Sequence, residues 1–251
     1  MRKAGAWIGC LTVWLLMAVA AVAATAEEAE FSRANQLCEQ GQHTAAIEIY
    51  EKLLSGGKVS AALYYNLGTA YYRAGQVGRA IEALRRAERL APRDPDIRAN
   101  LAAIRRAVSG KEDAGPGGLE LFLGRLTLNE WCLGATVSFW AWLGVLTLMQ
   151  WRAGWRASLR GWSWGFLFLW LGAAGCFGGA YYFQKIRRTA IVVQKEVGAR
   201  QAPYDVSKVV WNLVDGMEAH IVGENKDWLE IRDERGRAGW VKRDQVLIWP
   251  S

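Results

Sequence analysis

Three long uncharged runs divide this chain, and between them the hydrophobic pattern changes character twice. The first run follows Arg2 and Lys3 and ends in "ATA" at 24–26. A charged start, an apolar stretch and a small-residue site describe a secretory leader over 1–26. The alternative is an uncleaved anchor, since the run is also long enough to span a bilayer. The second run covers 131–150 and the third 162–183. Each has about the 20 residues that a hydrocarbon core of roughly 30 Å requires. Residues 27–110 instead repeat apolar positions at helical spacing. From 188 onward the text breaks into short alternating runs such as "KVVWNL" and "DWLEIRD", with turns at Asp215-Gly216 and Asp233–Gly236. These are strands of a small antiparallel barrel.

The expected architecture is a multidomain membrane protein with an all-α repeat domain, a two-helix transmembrane hairpin and an all-β barrel. Its boundaries are a leader at 1–26, repeats at 27–110, a linker at 111–130, helices at 131–150 and 162–183 around a loop at 151–161, and a barrel at 184–251. The loop carries Arg152, Arg156 and Arg160 without an acid, which places it in the cytoplasm by the positive-inside rule. Lys185, Arg187 and Arg188 argue weakly the other way. The leader decides the orientation, because it sends 27–130 across the membrane and the hairpin then returns the chain to the same side. Most of the 14 tryptophans fall between Trp131 and Trp170, as expected of interfacial anchors. In the second helix Gly175 and Gly179 form a GxxxG spacing, either a close helix contact or plain glycine excess.

Within 27–110 a period of 34 residues is visible: Gly41-Gln42 returns as Gly75-Gln76, Ala46 as Ala80, and Glu48 as Glu82. Residues 61–94 resemble a tetratricopeptide repeat through Tyr64, Leu67, Gly68, Tyr71, Ala80, Leu84, Ala87 and Pro92. A third helix starts at Asp94-Pro95, and its stripe Ile97, Leu101, Ile104 and Val108 is expected to close the stack. In such repeats Gly68 and Ala80 are small because the two helices cross there, and Tyr64 and Tyr71 fill the space beside them. Helix A lines the concave side, which assigns Phe31, Asn35, Tyr65, Thr69, Tyr72 and Arg73 to a partner-binding groove. Packing of this stripe inside the molecule is the alternative.

The barrel resembles bacterial SH3-like domains, in "VGARQAPYDVSKVVWNLVDG" and in "DWLEIRDERGRAGWV", with Gly198 departing from a frequent asparagine. Trp228 and Trp240 are read as core, Tyr204 and Trp211 as groove residues, and His220 with Glu218 as a solvated face. The resemblance implies a protein or cell-wall peptide ligand.

Net charge of +7 is spread thinly, with no segment above +3, so nucleic acid is not an expected partner. The two histidines, His43 and His220, lie in different modules. Neither a catalytic triad, a metal-ligand spacing nor a phosphate-binding loop can be assembled, so no enzyme activity, metal or cofactor is expected. Cys38 is read as a small buried residue.

The order of modules over nearly the whole chain resembles BatE-like proteins of bacterial aerotolerance operons. That resemblance implies an inner-membrane scaffold with both soluble modules in the periplasm. Its implied partners are von Willebrand factor A-type membrane proteins and a MoxR-type ATPase system. An envelope sensor that reads cell-wall peptide through the barrel is the second reading.

Overall fold

The structure is a computed structural model that describes residues 27–110, 118–233 and 235–250. The expected leader lies outside these residues, as does the first part of the expected linker. Helix α1 runs over 27–39, followed by α2 (His43–Ser55), α3 (Ala61–Arg73), α4 (Val77–Leu90) and α5 (Pro95–Ser109). Gly41 and Gly75 end helix A of successive repeats at φ of 80° and 77°, a left-handed conformation that costs a side chain strain. Ser60 Oγ accepts from the Leu63 amide at 3.1 Å, and the Asp94 carboxylate accepts from Asp96 and Ile97, so α3 and α5 start on side-chain caps.

Helices α3 and α4 cross where the sequence is smallest. A Cβ on Gly68 would lie 2.8 Å from Leu84 Cγ and 3.2 Å from the Ala80 carbonyl oxygen. Around that contact Tyr50, Leu67, Tyr71, Ile81 and Leu84 form one buried core. Tyr64 is only half-buried, with the Arg86 guanidinium 5.6 Å above its ring. From α5, Ile97, Leu101 and Ile104 join the buried set.

Helix α6 (Gly118–Leu123) occupies part of the stretch expected as linker. Helices α7 (Leu128–Trp151) and α8 (Arg156–Tyr181) pair as a hairpin joined by a 3-10 turn at Ala153–Trp155. Both are long and apolar enough to cross a membrane, and their faces are almost entirely uncovered by protein. A soluble core helix buries that surface; among the described residues no protein layer does. The expected loop at 151–161 is shorter than its charges suggested, because Arg156 and Arg160 already belong to the first turns of α8. Trp142 and Trp170 stack across the pair with centroids 6.2 Å apart. Gly179 does serve a close approach, but to Leu123 of α6, whose Cδ1 sits 2.9 Å from where a Cβ would stand. Gly175 faces open space.

After a π-helical turn at Tyr182–Ile186, seven antiparallel strands follow: β1 (Thr189–Val192), β2 (Glu196–Arg200), β3 (Val209–Val214), β4 (Glu218–Asn225), β5 (Trp228–Arg232), β6 (Ala238–Lys242) and β7 (Val246–Trp249). Their order in the sheet is β3-β2-β6-β5-β4-β1-β7. Alternate residues of β2, β5 and β6 point inward, so Val197, Ala199, Leu229, Ile231 and Val241 make a second core.

Strand β1 breaks that alternation, being buried at all four positions. Ala190 and Val192 enter the barrel core, whereas Ile191 enters the core of the helical repeats. The barrel is docked on α4 and α5. At the start of α4 the Asp215 carboxylate accepts from the Val77 and Gly78 amides, both at 2.8 Å. Those amides have no intrahelical acceptor, and a carboxylate there also meets the positive end of the helix dipole. A Cβ on Gly78 would lie 2.0 Å from the Val192 carbonyl oxygen, and one on Gly216 2.6 Å from Val77 Cγ1. Glu218, expected on a solvated face, instead sits between Arg85 and Arg105, each with Nε at 3.1 Å. Trp249 closes the far edge beneath the Arg89 guanidinium, 4.3 Å from its ring centre.

Candidate partner-binding surfaces

Six helix-A residues were expected to share one groove, and the structure sorts them by their own bonds. Phe31 is half-buried, its ring 6.0 Å from Tyr50. Asn35 Oδ1 accepts from Tyr50 Oη at 2.6 Å and from Asn66 Nδ2 at 2.9 Å. The Tyr65 hydroxyl accepts from Asn100 Nδ2 at 2.8 Å, and its ring packs on the repeat core. Thr69 turns its hydroxyl back to the Tyr65 carbonyl. Phe31, Asn35 and Tyr65 tie α1, α2, α3 and α5 together, and the Thr69 bond stays within α3. Tyr72, 43% exposed, and the exposed Arg73 lie at the C-terminal end of α3 and turn toward solvent.

The neighbouring titratable groups are locked rather than reactive. Burial pushes the Tyr50 and Tyr71 phenols upward, and Tyr71 donates to Glu51. Burial also raises the Cys38 thiol, which keeps it protonated and a poor nucleophile.

On the barrel, Tyr204 is 55% exposed within a tight turn held by the Ser207 amide, which donates to the Tyr204 carbonyl at 3.1 Å. Trp211 lies elsewhere. It is part of the barrel core, with the Arg237 guanidinium 4.5 Å over its ring, and it cannot face a groove. Trp228 and Trp240, expected in that core, are half-buried. The inward positions of β5 and β6 belong to Leu229, Ile231, Gly239 and Val241, and those of β3 to Trp211 and Leu213, while Val209 and Val210 are exposed. A cleft of about 120 Å³ opens over Arg200, Asp205, Trp228 and Lys242. Its charges are ordered, since Lys242 pairs with Asp205 at 2.7 Å and stands 5.5 Å over the Trp228 ring.

The comparison with known families agrees with this division. Residues 31–95 match the tetratricopeptide repeat and residues 193–249 match the bacterial SH3 domain. The chain carries both modules. A search of curated proteins finds no match to it. Modules of these two kinds are typically interaction domains, and two apolar helices between them point to membrane association.

Sequence reading missed the dock between them. Its signals were the unbroken apolar run of β1, where a half-buried strand would alternate, and the glycine beside Val77 at the start of α4.

Proposed function

We propose that the chain is a non-enzymatic scaffold of the bacterial inner membrane that holds a protein partner on the helix-A face of its repeats. The observation that carries this reading is the arrangement around α3. The barrel covers α4 and α5, while Tyr72 and Arg73 stay exposed beside them. An aromatic next to a guanidinium, set on a rigid helix, is the composition of an interface anchor.

The dock supports the topology as well. Two modules that touch must lie in one compartment, which a two-helix hairpin achieves and a single span does not. With the expected leader, that compartment is the periplasm. The likeness to BatE-like proteins favours a von Willebrand factor A-type membrane protein as partner, in a system served by a MoxR-type ATPase.

The second reading, an envelope sensor, draws on the cleft at Trp228. There the ligand is a cell-wall peptide and the repeats relay its presence.

Co-purification from detergent-solubilised membranes separates the two. Tyr65 holds Asn100 and belongs to the fold, so the informative variant is Tyr72→Ala/Arg73→Ala. Loss of an aromatic anchor of about 2 kcal/mol weakens capture about thirty-fold. Specific proteins are expected to disappear in that variant and to persist with Trp228→Ala. If only Trp228→Ala removes them, or if purified cell-wall fragments are retained in its place, the sensor reading prevails.

A further inference from the structure

Helix α6 has six residues, fewer than the roughly 12–15 an isolated helix needs in water, so its neighbours must hold it. Leu123 is buried against Gly179 of α8, where a Cβ would stand 2.9 Å from its Cδ1. The Trp131 indole of α7 donates to the Leu123 carbonyl at 3.1 Å, and the Arg125 amide donates to the Phe122 carbonyl at 3.3 Å. Both bonds satisfy carbonyls that a helix end leaves without an intrahelical donor. The Phe122 ring rests on that of Trp131, with centroids 5.9 Å apart.

The register of the hairpin gives the depth at which α6 lies. Trp142 and Trp170 stack across the antiparallel helices and so stand level. Nine residues back from Trp142 is Leu133, and nine residues on from Trp170 is Gly179. Leu123 therefore packs at the level of Leu133, within the first two turns of the Leu128–Trp151 span. The start of the same span is polar. Thr127 caps it, and Arg93 Nη2 donates to Glu130 at 2.7 Å while Arg93 Nε donates to the Arg125 carbonyl at 3.4 Å. Charged groups at one level and apolar ones just below, with an indole between them, mark the edge of a hydrocarbon layer. At that edge Leu119 is 63% exposed, Phe122 49% and Leu133 64%. Leu119, Phe122 and Leu123 stand at i, i+3 and i+4, on one side of the helix.

We propose that α6 is a third membrane contact of this chain, an interfacial segment whose Leu119 and Phe122 side chains enter the leaflet in which α7 begins and α8 ends. The inference rests on the reading of α7 and α8 as membrane helices. The occupant of this face is lipid because the face continues the uncovered surface of the hairpin at one depth. A short segment with apolar side chains turned to that boundary is stabilised there by burying them among acyl chains. The repeats inherit the placement. Arg93 follows α4 and is bonded to Arg125 and Glu130, and Arg89 of α4 donates to the Gln184 carbonyl beyond α8 at 3.3 Å. The C-terminal end of α4 is thus joined to both arms of the hairpin, and α6 fixes the height of that joint. Tyr72 and Arg73 precede the turn into α4, at the opposite end of that helix from Arg93.

The test uses the full chain reconstituted into vesicles of phosphatidylglycerol and phosphatidylethanolamine. A photoreactive phenylalanine analogue is placed at Leu119, Phe122, Leu133 or Gln40 in four separate chains, and the irradiated peptides are weighed for phospholipid adducts. Leu133 is an exposed position of α7, and Gln40 an exposed position in the turn between α1 and α2. Phospholipid adducts at 119 and 122 in yields comparable to 133, with none at 40, are the expected result. Adducts at 133 but not at 119 and 122 overturn the proposal. So do adducts from 119 and 122 to residues 1–26 or to a second copy of the chain, and so does equal lipid labelling at 40. Absence of lipid at 133 refutes the membrane reading itself, whereas its absence at 119 and 122 alone refutes only the interfacial segment.

Discussion

Gly78→Ala is expected to part the barrel from the repeats. Alanine favours an ordinary helix position by about 1 kcal/mol over glycine, so propensity alone predicts a gain. At this position the new Cβ would stand 2.0 Å from the Val192 carbonyl oxygen and 2.9 Å from Asp215 Oδ1. A backbone carbonyl in a paired strand cannot swing aside as a side-chain tip can. The overlap is relieved only by moving β1 and the Asp215 turn away from α4, which also loses the two amide–carboxylate bonds. Overpacking and those bonds together put the loss at about 3 kcal/mol of docking free energy. Amide exchange reads it directly, because the amides at 77 and 78 are protected only by Asp215 and the covering barrel. Fast exchange there, with α3 and the remainder of α4 still protected, is the expected result. A chain more stable than the native one, with both amides still slow, would show that α4 and β1 do not meet.

Glu218→Ala acts on the same dock through charge. Its carboxylate bridges Arg85 and Arg105, whose side chains are 16% and 18% exposed. Removing it takes the shared anion from two mostly buried guanidinium groups, a loss of about 3 kcal/mol. Glu218→Gln keeps the shape and loses the charge, so a smaller effect is expected. The pH dependence has a definite sign. Burial alone pushes the Glu218 carboxyl up, but Arg85 and Arg105 outweigh it and hold the group below its ordinary value of 4.5. A carboxyl depressed in the docked state binds protons more readily when undocked. Its contribution is therefore complete above 4.5 and is lost as pH falls through the depressed docked value. Acid titration of amide exchange at Val77 checks this: the native chain undocks on acidification, and Glu218→Gln is already weakened and changes less.

Much of the fold could be read from particular residues. The interval between Gly41 and Gly75 announced the repeats because a left-handed turn at the end of helix A needs glycine each time. Gly68 and Ala80 marked the helix crossing because nothing larger fits there. Asp94-Pro95 marked the start of α5 through two independent preferences, a side-chain cap and a fixed φ. The barrel core was harder to assign. In "KVVWNL" apolar residues stand on both faces of β3, so the phase of alternation is not defined, and Trp211, expected at a groove, fills the core instead. The groove was legible only as a stripe. Which members hold the fold depends on Asn35, Asn66 and Asn100, and each of these polar contacts joins segments at least 15 residues apart. The dock was least visible, since the guanidinium groups that bind Glu218 are remote in sequence, the nearer of them, Arg105, lying 113 residues away.

Site-specific photo-crosslinking in intact membranes reads partner contact at Tyr72 itself. A photoreactive phenylalanine analogue is placed at Tyr72, and in a separate chain at Lys58, which is exposed in the turn after α2. A discrete protein adduct from position 72, absent from position 58, is the predicted result. Equal capture from both positions, or none from 72 while the chain is folded in the membrane, would contradict a partner held on the helix-A face.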